Sequence, residues 1–244
     1  MDFNTYFLFL IPIVAFLYAS VGHGGASGYL ALMVLFGISP ALMKPSALVL
    51  NIFVSAIAFF QYYRQGHFKW KLLVPFIILS IPLSFLGAKI HIDVHTYKLI
   101  LAGCLVIATI RILGFSGKAS ETGIKELKFI PAFLIGGLLG FVSGMIGIGG
   151  GILLSPVLLL LHWSNMKQTA AVSAAFIFLN SISGLAGASL SAQSFSSEIY
   201  LWAGLAIIGG TAGAWYGSLK FSPLVLKYVL SLVLFSACIK LIFS

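Results

Sequence analysis

Acidic side chains are almost absent from this chain. There are five, Asp2, Asp93, Glu121, Glu126 and Glu198, and each reads as part of a terminus or loop rather than an apolar run. A cation carrier or a carboxylate proton relay keeps an acid within the membrane, so that chemistry has no residue to use here. Charge of either sign is scarce at 8%, whereas 60% of residues are hydrophobic and the mean hydropathy is +1.11. In water such a chain would expose more apolar surface than it could cover, which excludes an ordinary soluble domain. Cysteine is limited to Cys104 and Cys238, each inside an apolar run, where a small buried hydrophobe is expected rather than a disulfide or metal pair. His67, His91, His95 and His162 fall in loops without ligand spacing, and no cofactor motif is present. IGIGGGILLS lacks the Gly-Lys-Ser/Thr of a phosphate loop, so any transport would be driven by a gradient.

What is abundant is long apolar sequence. Six runs could cross roughly 30 Å of hydrocarbon as helices: Pro45–Tyr63, Leu72–Ile90, Tyr97–Leu113, Thr169–Leu190, Ile199–Leu219 and Pro223–Phe243. The first apolar run has Asp2 and no basic residue ahead of it and no small-x-small cleavage site behind it, so it is expected to belong to the fold. The net charge of +9 is spread singly between the runs, with no basic face for nucleic acid; it reads as the positive-inside bias of a membrane protein.

Two apolar stretches are anomalous. Tyr6–Gly37 and Phe129–Leu161 would each be roughly 50 Å long as one helix, too long for one crossing and short for two. Glycine clusters interrupt both, VGHGGASG at Val21–Gly28 and IGIGGG at Ile146–Gly151. Each stretch therefore predicts a helix, a break, and a short helix of about ten residues. The breaks align at an offset of 125, and Met43-Lys44 aligns with Met166-Lys167 at 123, so an internal duplication is expected. The expected organisation is a repeat at residues 1–113, a cytoplasmic linker at 114–128 and a second repeat at 129–244. The fold class is an all-α membrane protein of two repeats, each a broken, re-entrant helix pair plus three transmembrane helices. If the broken segments re-enter, ten cations fall on one face (Arg64, Lys69, Lys71, Arg111, Lys118, Lys125, Lys128, Lys167, Lys220 and Lys227) and four (Lys44, Lys89, Lys98 and Lys240) on the other. That asymmetry favours re-entry and inverted repeats.

The breaks are also the candidate site. A helix restarting after a glycine turn presents unpaired N–H groups and the positive end of its dipole, an anion-binding arrangement. Gly22, Gly24, Gly25, Gly147, Gly149, Gly150 and Gly151 supply those turns, and His23 and Ser27 lie within the first. Asn51 and Asn180, early in the following spans, are polar groups that need a partner in hydrocarbon; either the substrate or another helix would serve. Ser46, Thr169 and Ser173 have a weaker claim, because hydroxyls can bond their own helix. The stripes Gly136, Gly140, Gly144 and Gly209, Gly213, Gly217 predict close helix packing. Trp70, Trp163 and Trp202 are expected as interfacial anchors. An intramembrane enzyme would use His23 with Ser27, but no third orienting group is evident.

The order of VGHGGASG, MKPSALVLNIF, QYYRQGHFKW, GFVSGMIGIGGGILLSPVLLLL and MKQTAAVSAAFIFLNSISG resembles the sulfite exporter TauE/SafE family of membrane permeases over essentially the whole chain. The resemblance implies export of sulfite or a small organosulfonate across a bacterial inner membrane. It places the translocation site at the glycine clusters and the polar starts of the helices that follow. The partners implied are the anion and the lipid bilayer, and a homo-oligomer is compatible with it.

Overall fold

A computed structural model describes residues 3–38, 40–90, 103, 124–189, 198–222, 224, 225, 228, 229, 232 and 235. Within them the regular structure is helical. The elements are α1 (Phe3–Ser20), α2 (Ala26–Leu35), α3 (Pro40–Arg64), α4 (Trp70–Ala88), α5 (Phe129–Ile146), α6 (Gly151–Leu160), α7 (Met166–Ser189) and α8 (Glu198–Trp215), the last continued by a π-helical turn, Tyr216–Lys220. Five of these are long and apolar enough to cross a membrane: Leu42–Arg64, Trp70–Ala88, Phe129–Ile146, Met166–Ala188 and Glu198–Lys220. The predicted spans Tyr97–Leu113 and Pro223–Phe243 lie largely outside the described residues.

Both long apolar stretches break where their glycines are, and both fold back on themselves. Phe7 and Phe36 meet with ring centroids 5.4 Å apart, while Tyr18 Oη and Ser27 Oγ are 2.7 Å apart nearer the turn, so α1 and α2 form an antiparallel hairpin. In the second hairpin the Lys125 N–H, just ahead of α5, donates to the His162 carbonyl just beyond α6 at 2.8 Å. The turns require glycine: Gly22, Gly25, Gly147, Gly149 and Gly150 all have φ between 72° and 98°, left-handed backbone that costs residues with a Cβ.

Around the hairpins the packing is reciprocal. α5 lies along α4 through three rungs, Gly136 on Phe76, Gly140 on Ser80 and Gly144 on Ser84, where a Cβ would overlap the partner backbone. α8 lies along α1 through three more, Gly209 on Pro12, Gly213 on Phe16 and Gly217 on Ser20. Residue numbers rise together in both seams, so each pair is parallel. Lipid tails give helices little hydrophobic reason to associate, and these seams gain their contact by bringing backbones close. α3 and α7 pack in the centre and run antiparallel: Asn51 reaches Ser181, whereas Tyr62 clusters with Ala170 and Ala171.

Two of the three tryptophans depart from expectation. Trp70 is exposed at the start of α4, but Trp163 packs on Phe76 and Trp202 on Phe7, both buried. Each sits where a hairpin meets a neighbouring helix and its ring fills the junction. Trp215, half exposed at the end of α8 with Lys220 against its ring, has the position expected of an anchor.

Candidate anion site at two hairpin tips

The hairpin turns are buried against the middle of the α3–α7 pair, and they meet. Gly24 packs on Asn51 of α3, and Gly149 packs between Asn51, Ile177 and Ser181. Gly151 lies on Ile177 and the Ser173 carbonyl, and Gly150 on Phe176 and Ser143. The outer residues of the turns rest on the central helices too, Gly22 on Ala170 and Gly147 on the Lys44 stem.

Asn51 joins the two tips. Its Oδ1 accepts from the Ala26 N–H at 2.9 Å, satisfying the first amide of α2, and its Nδ2 donates to the Ile148 carbonyl at 3.1 Å. A second Nδ2 contact reaches Ser181 Oγ at 3.4 Å. One buried side chain thus supplies an acceptor to a helix N-terminus and a donor to the opposite turn. At the N-terminus of α6 the N-cap is Gly150, and among the described residues no side-chain cap is made there. Asn180, the other amide singled out from sequence, makes different bonds. Its Nδ2 donates to Phe176 O at 2.8 Å on its own helix, and its main-chain carbonyl accepts from Ser84 Oγ of α4 at 3.0 Å. It does not line the cavity between the tips.

That cavity is about 10 Å³, walled by Tyr18, His23, Gly24, Gly25, Ala26, Ser27, Ile148, Ile152 and Ile177. It has room for about one water molecule, so the tips are closed on one another. His23 is 1% exposed; its Nε2 lies 2.8 Å from Ser155 Oγ of α6, and Ser155 Oγ lies 2.8 Å from Ser173 Oγ of α7. Ser27 is bonded to Tyr18, and the histidine pairs with Ser155 rather than with Ser27 as the sequence suggested. Of the hydroxyls, Ser46 is buried without a hydrogen-bond partner among the described residues and Thr169 is paired with Ser164.

In the sequence Lys44 is a register mark and one of the four cations on the poorer face. Its ammonium donates to carbonyls in the last turns of two helices, Ala88 of α4 at 3.1 Å and Met145 of α5 at 3.2 Å, complementing two helix C-termini. Its counterpart Lys167 donates to Ser218 O at the end of α8, 3.0 Å away. Because α3 and α7 are antiparallel, the two lysines close opposite ends of the bundle. Beside Lys167, burial and then the Lys167 charge hold the His67 imidazole below its ordinary pKa, opposed by a hydrogen bond with the Ser218 backbone.

The family model for the sulfite exporter TauE/SafE matches residues 7–241. This chain belongs to that family. Among curated proteins it is 38% identical over 233 residues to the probable membrane transporter protein y4hK of Sinorhizobium fredii, covering 94% of each chain. It is 29% identical over 196 residues to the probable membrane transporter protein MJ0441 of Methanocaldococcus jannaschii, covering 73% of this chain and 72% of that one. With YjnA of Bacillus subtilis, also named a probable membrane transporter protein, identity is 26% over 241 residues. No solved structure matches. Family, apolar helices and relatives agree on a multi-pass membrane transporter of the TauE/SafE family.

Proposed function

We propose that the chain is a gradient-driven permease that exports a small sulfur-containing anion, sulfite or an organosulfonate, by alternating access between two inverted halves. The halves are residues 1–113 and 129–244, joined by a cytoplasmic linker at 114–128. The antiparallel run of α3 and α7, which hold equivalent places in the two halves, supports the inversion. The observation that carries the reading is Asn51 at the tips. In the closed protein its Oδ1 occupies the acceptor position at the N-terminus of α2 that an anion oxygen would take. Entry of the anion separates the tips, releases Asn51, and adds the N-terminus of α6 from the other side.

Magnitudes limit what the helix ends do alone. Each contributes up to about 2 kcal/mol to a bound negative charge in a partly buried setting. Taking the ion out of water costs several kcal/mol. A further donor or positive group is therefore required, and His23 is at hand.

Orientation follows from charge. Tracing the helices places Arg64, Lys69, Lys71, Lys125, Lys128, Lys167 and Lys220 at one end and Lys44 and Lys89 at the other, so among the described cations seven stand against two. The richer end is the cytoplasmic one, in a bacterial inner membrane. The test is flux in proteoliposomes with sulfite, sulfonates and thiosulfate. Saturable flux of at least one is expected, abolished by Gly24→Leu or Gly150→Leu in protein that remains folded. Transport of none of them would overturn the reading.

A further inference from the structure

His23 offers a buried ring nitrogen that no other group among the described residues engages. Its main-chain N–H donates to the Tyr18 carbonyl at 2.8 Å and its Nε2 is bonded to Ser155, whereas Nδ1 is buried without a partner. We propose that His23 Nδ1 is a proton-binding site, and that the anion crosses together with one proton held there. This rests on the carrier reading above and deepens it.

The surroundings give a proton there a specific consequence. Facing the ring or its turn are Tyr18 from α1, Ser27 and Tyr29 from α2, Asn51 from α3, Ser155 from α6 and Ser173 from α7. Two phenols, three hydroxyls and one amide carry no charge near neutral pH. The ammonium groups of Lys44 and Lys167 are bonded to carbonyls at the helix ends instead. Glu126, ahead of α5, and Glu198, the first residue of α8, are the carboxylates among the described residues, and both lie at element ends. A proton on Nδ1 with the cavity empty is thus a buried charge with no counter-ion, which is costly. An anion seated on the helix N-termini beside it removes that cost, and the proton supplies the positive group the anion lacks. Linkage makes the effect mutual, each ligand raising the affinity for the other. The proton comes from water on the side where the cavity opens, sits on Nδ1 during the passage, and leaves to water on the far side. No bond to the anion forms or breaks, and a monoanion with its proton crosses as a neutral pair, so export runs down the anion's own outward gradient and against an acid-outside pH gradient.

The His23–Ser155–Ser173 chain suits this role. It ties the ring to α6 and α7, so the protonation state of the first tip is sensed by the second hairpin. Sequence alone offers His23 as a residue that either hydrogen-bonds an anion or changes charge near neutral pH; the free Nδ1 and its polar tether are structural findings.

The experiment uses proteoliposomes of the full chain with methanesulfonate, a monoanion at every pH used, and with sulfite in parallel, while a pH dye reports proton movement. About one proton should move with each methanesulfonate. A pH gradient, acid outside, should drive methanesulfonate in. A potential of about 100 mV, which would concentrate an uncoupled monoanion about fiftyfold, should drive none. His23→Gln should lower the proton-to-anion ratio at least about tenfold in whatever flux remains. As a check free of folding effects, the wild-type protein in weakly buffered detergent should take up about one proton per bound methanesulfonate or sulfite. Anion flux without proton movement, or binding without proton uptake, would overturn this inference and leave the carrier intact. Unchanged coupling in His23→Gln would also overturn it. Absence of any anion flux would instead strike the carrier reading itself.

Discussion

Asn51 is asked to do two things at once, and its substitutions separate them. Asn51→Leu leaves the Ala26 N–H and the Ile148 carbonyl buried without partners, each costing about 1–3 kcal/mol, so lower thermal stability and loss of flux are expected together. Asn51→Asp keeps an acceptor for Ala26 but loses the donor and places negative charge at the proposed anion site. Flux should fall at least about tenfold with the fold retained, read by transport beside a melting curve. Sequence pointed to Asn51 and to Asn180 with equal force, because both are amides early in the equivalent span. The structure distinguishes them: Asn180 donates its Nδ2 to its own helix at Phe176, an option open to any helical asparagine and invisible in spacing, and its Oδ1 is buried without a partner among the described residues. Ser155 carries no signal in the sequence, because a serine in an apolar helix can bond its own backbone. Only the fold brings His23, 132 residues away in sequence, to it.

Among the elements, the glycine seams were legible from their four-residue period, since nothing but close approach explains small residues on one helix face. Which helix each stripe meets was not, because α4 and α1 carry ordinary Phe, Ser and Pro where the glycines land. The contrast between glycines makes a prediction. Gly140→Leu must push α5 off Ser80 and should destabilise by about 1–3 kcal/mol. Gly204→Ala, in the same protein, has open space around it and should be neutral or stabilising by up to about 1 kcal/mol. Unfolding in detergent with a chemical denaturant would compare them; equal effects would contradict the seam. Lys44 acts at this scale as well. Its ammonium ties the start of α3 to the ends of α4 and α5, so Lys44→Met should loosen that end. A cysteine placed at Ile148, with Cys104 and Cys238 replaced by serine, should then react faster with a membrane-impermeant thiol reagent from the Lys44 side. An unchanged rate would mean that the tie is not a gate.

For the molecule as a whole, the broken helices, their positions and the second copy of the pattern were all legible, because glycine clusters and apolar length report directly on backbone freedom and membrane thickness. Two features were not. One is that the hairpin tips touch, which depends on the antiparallel α3–α7 pair. The other is that they are shut, leaving space for one water. On the proposed function, a small cavity beside an asparagine bridge is the state between turnovers, and loading it would move the hairpins apart. The most direct test is a structure of the protein equilibrated with selenite, an oxyanion located by its anomalous scattering. The account predicts one selenium peak between the Ala26 and Gly151 amides, with the Asn51 bridge to Ala26 broken and His23 within hydrogen-bonding distance of an oxygen. A transport-competent protein that binds selenite elsewhere, with the tips still joined through Asn51, would contradict it.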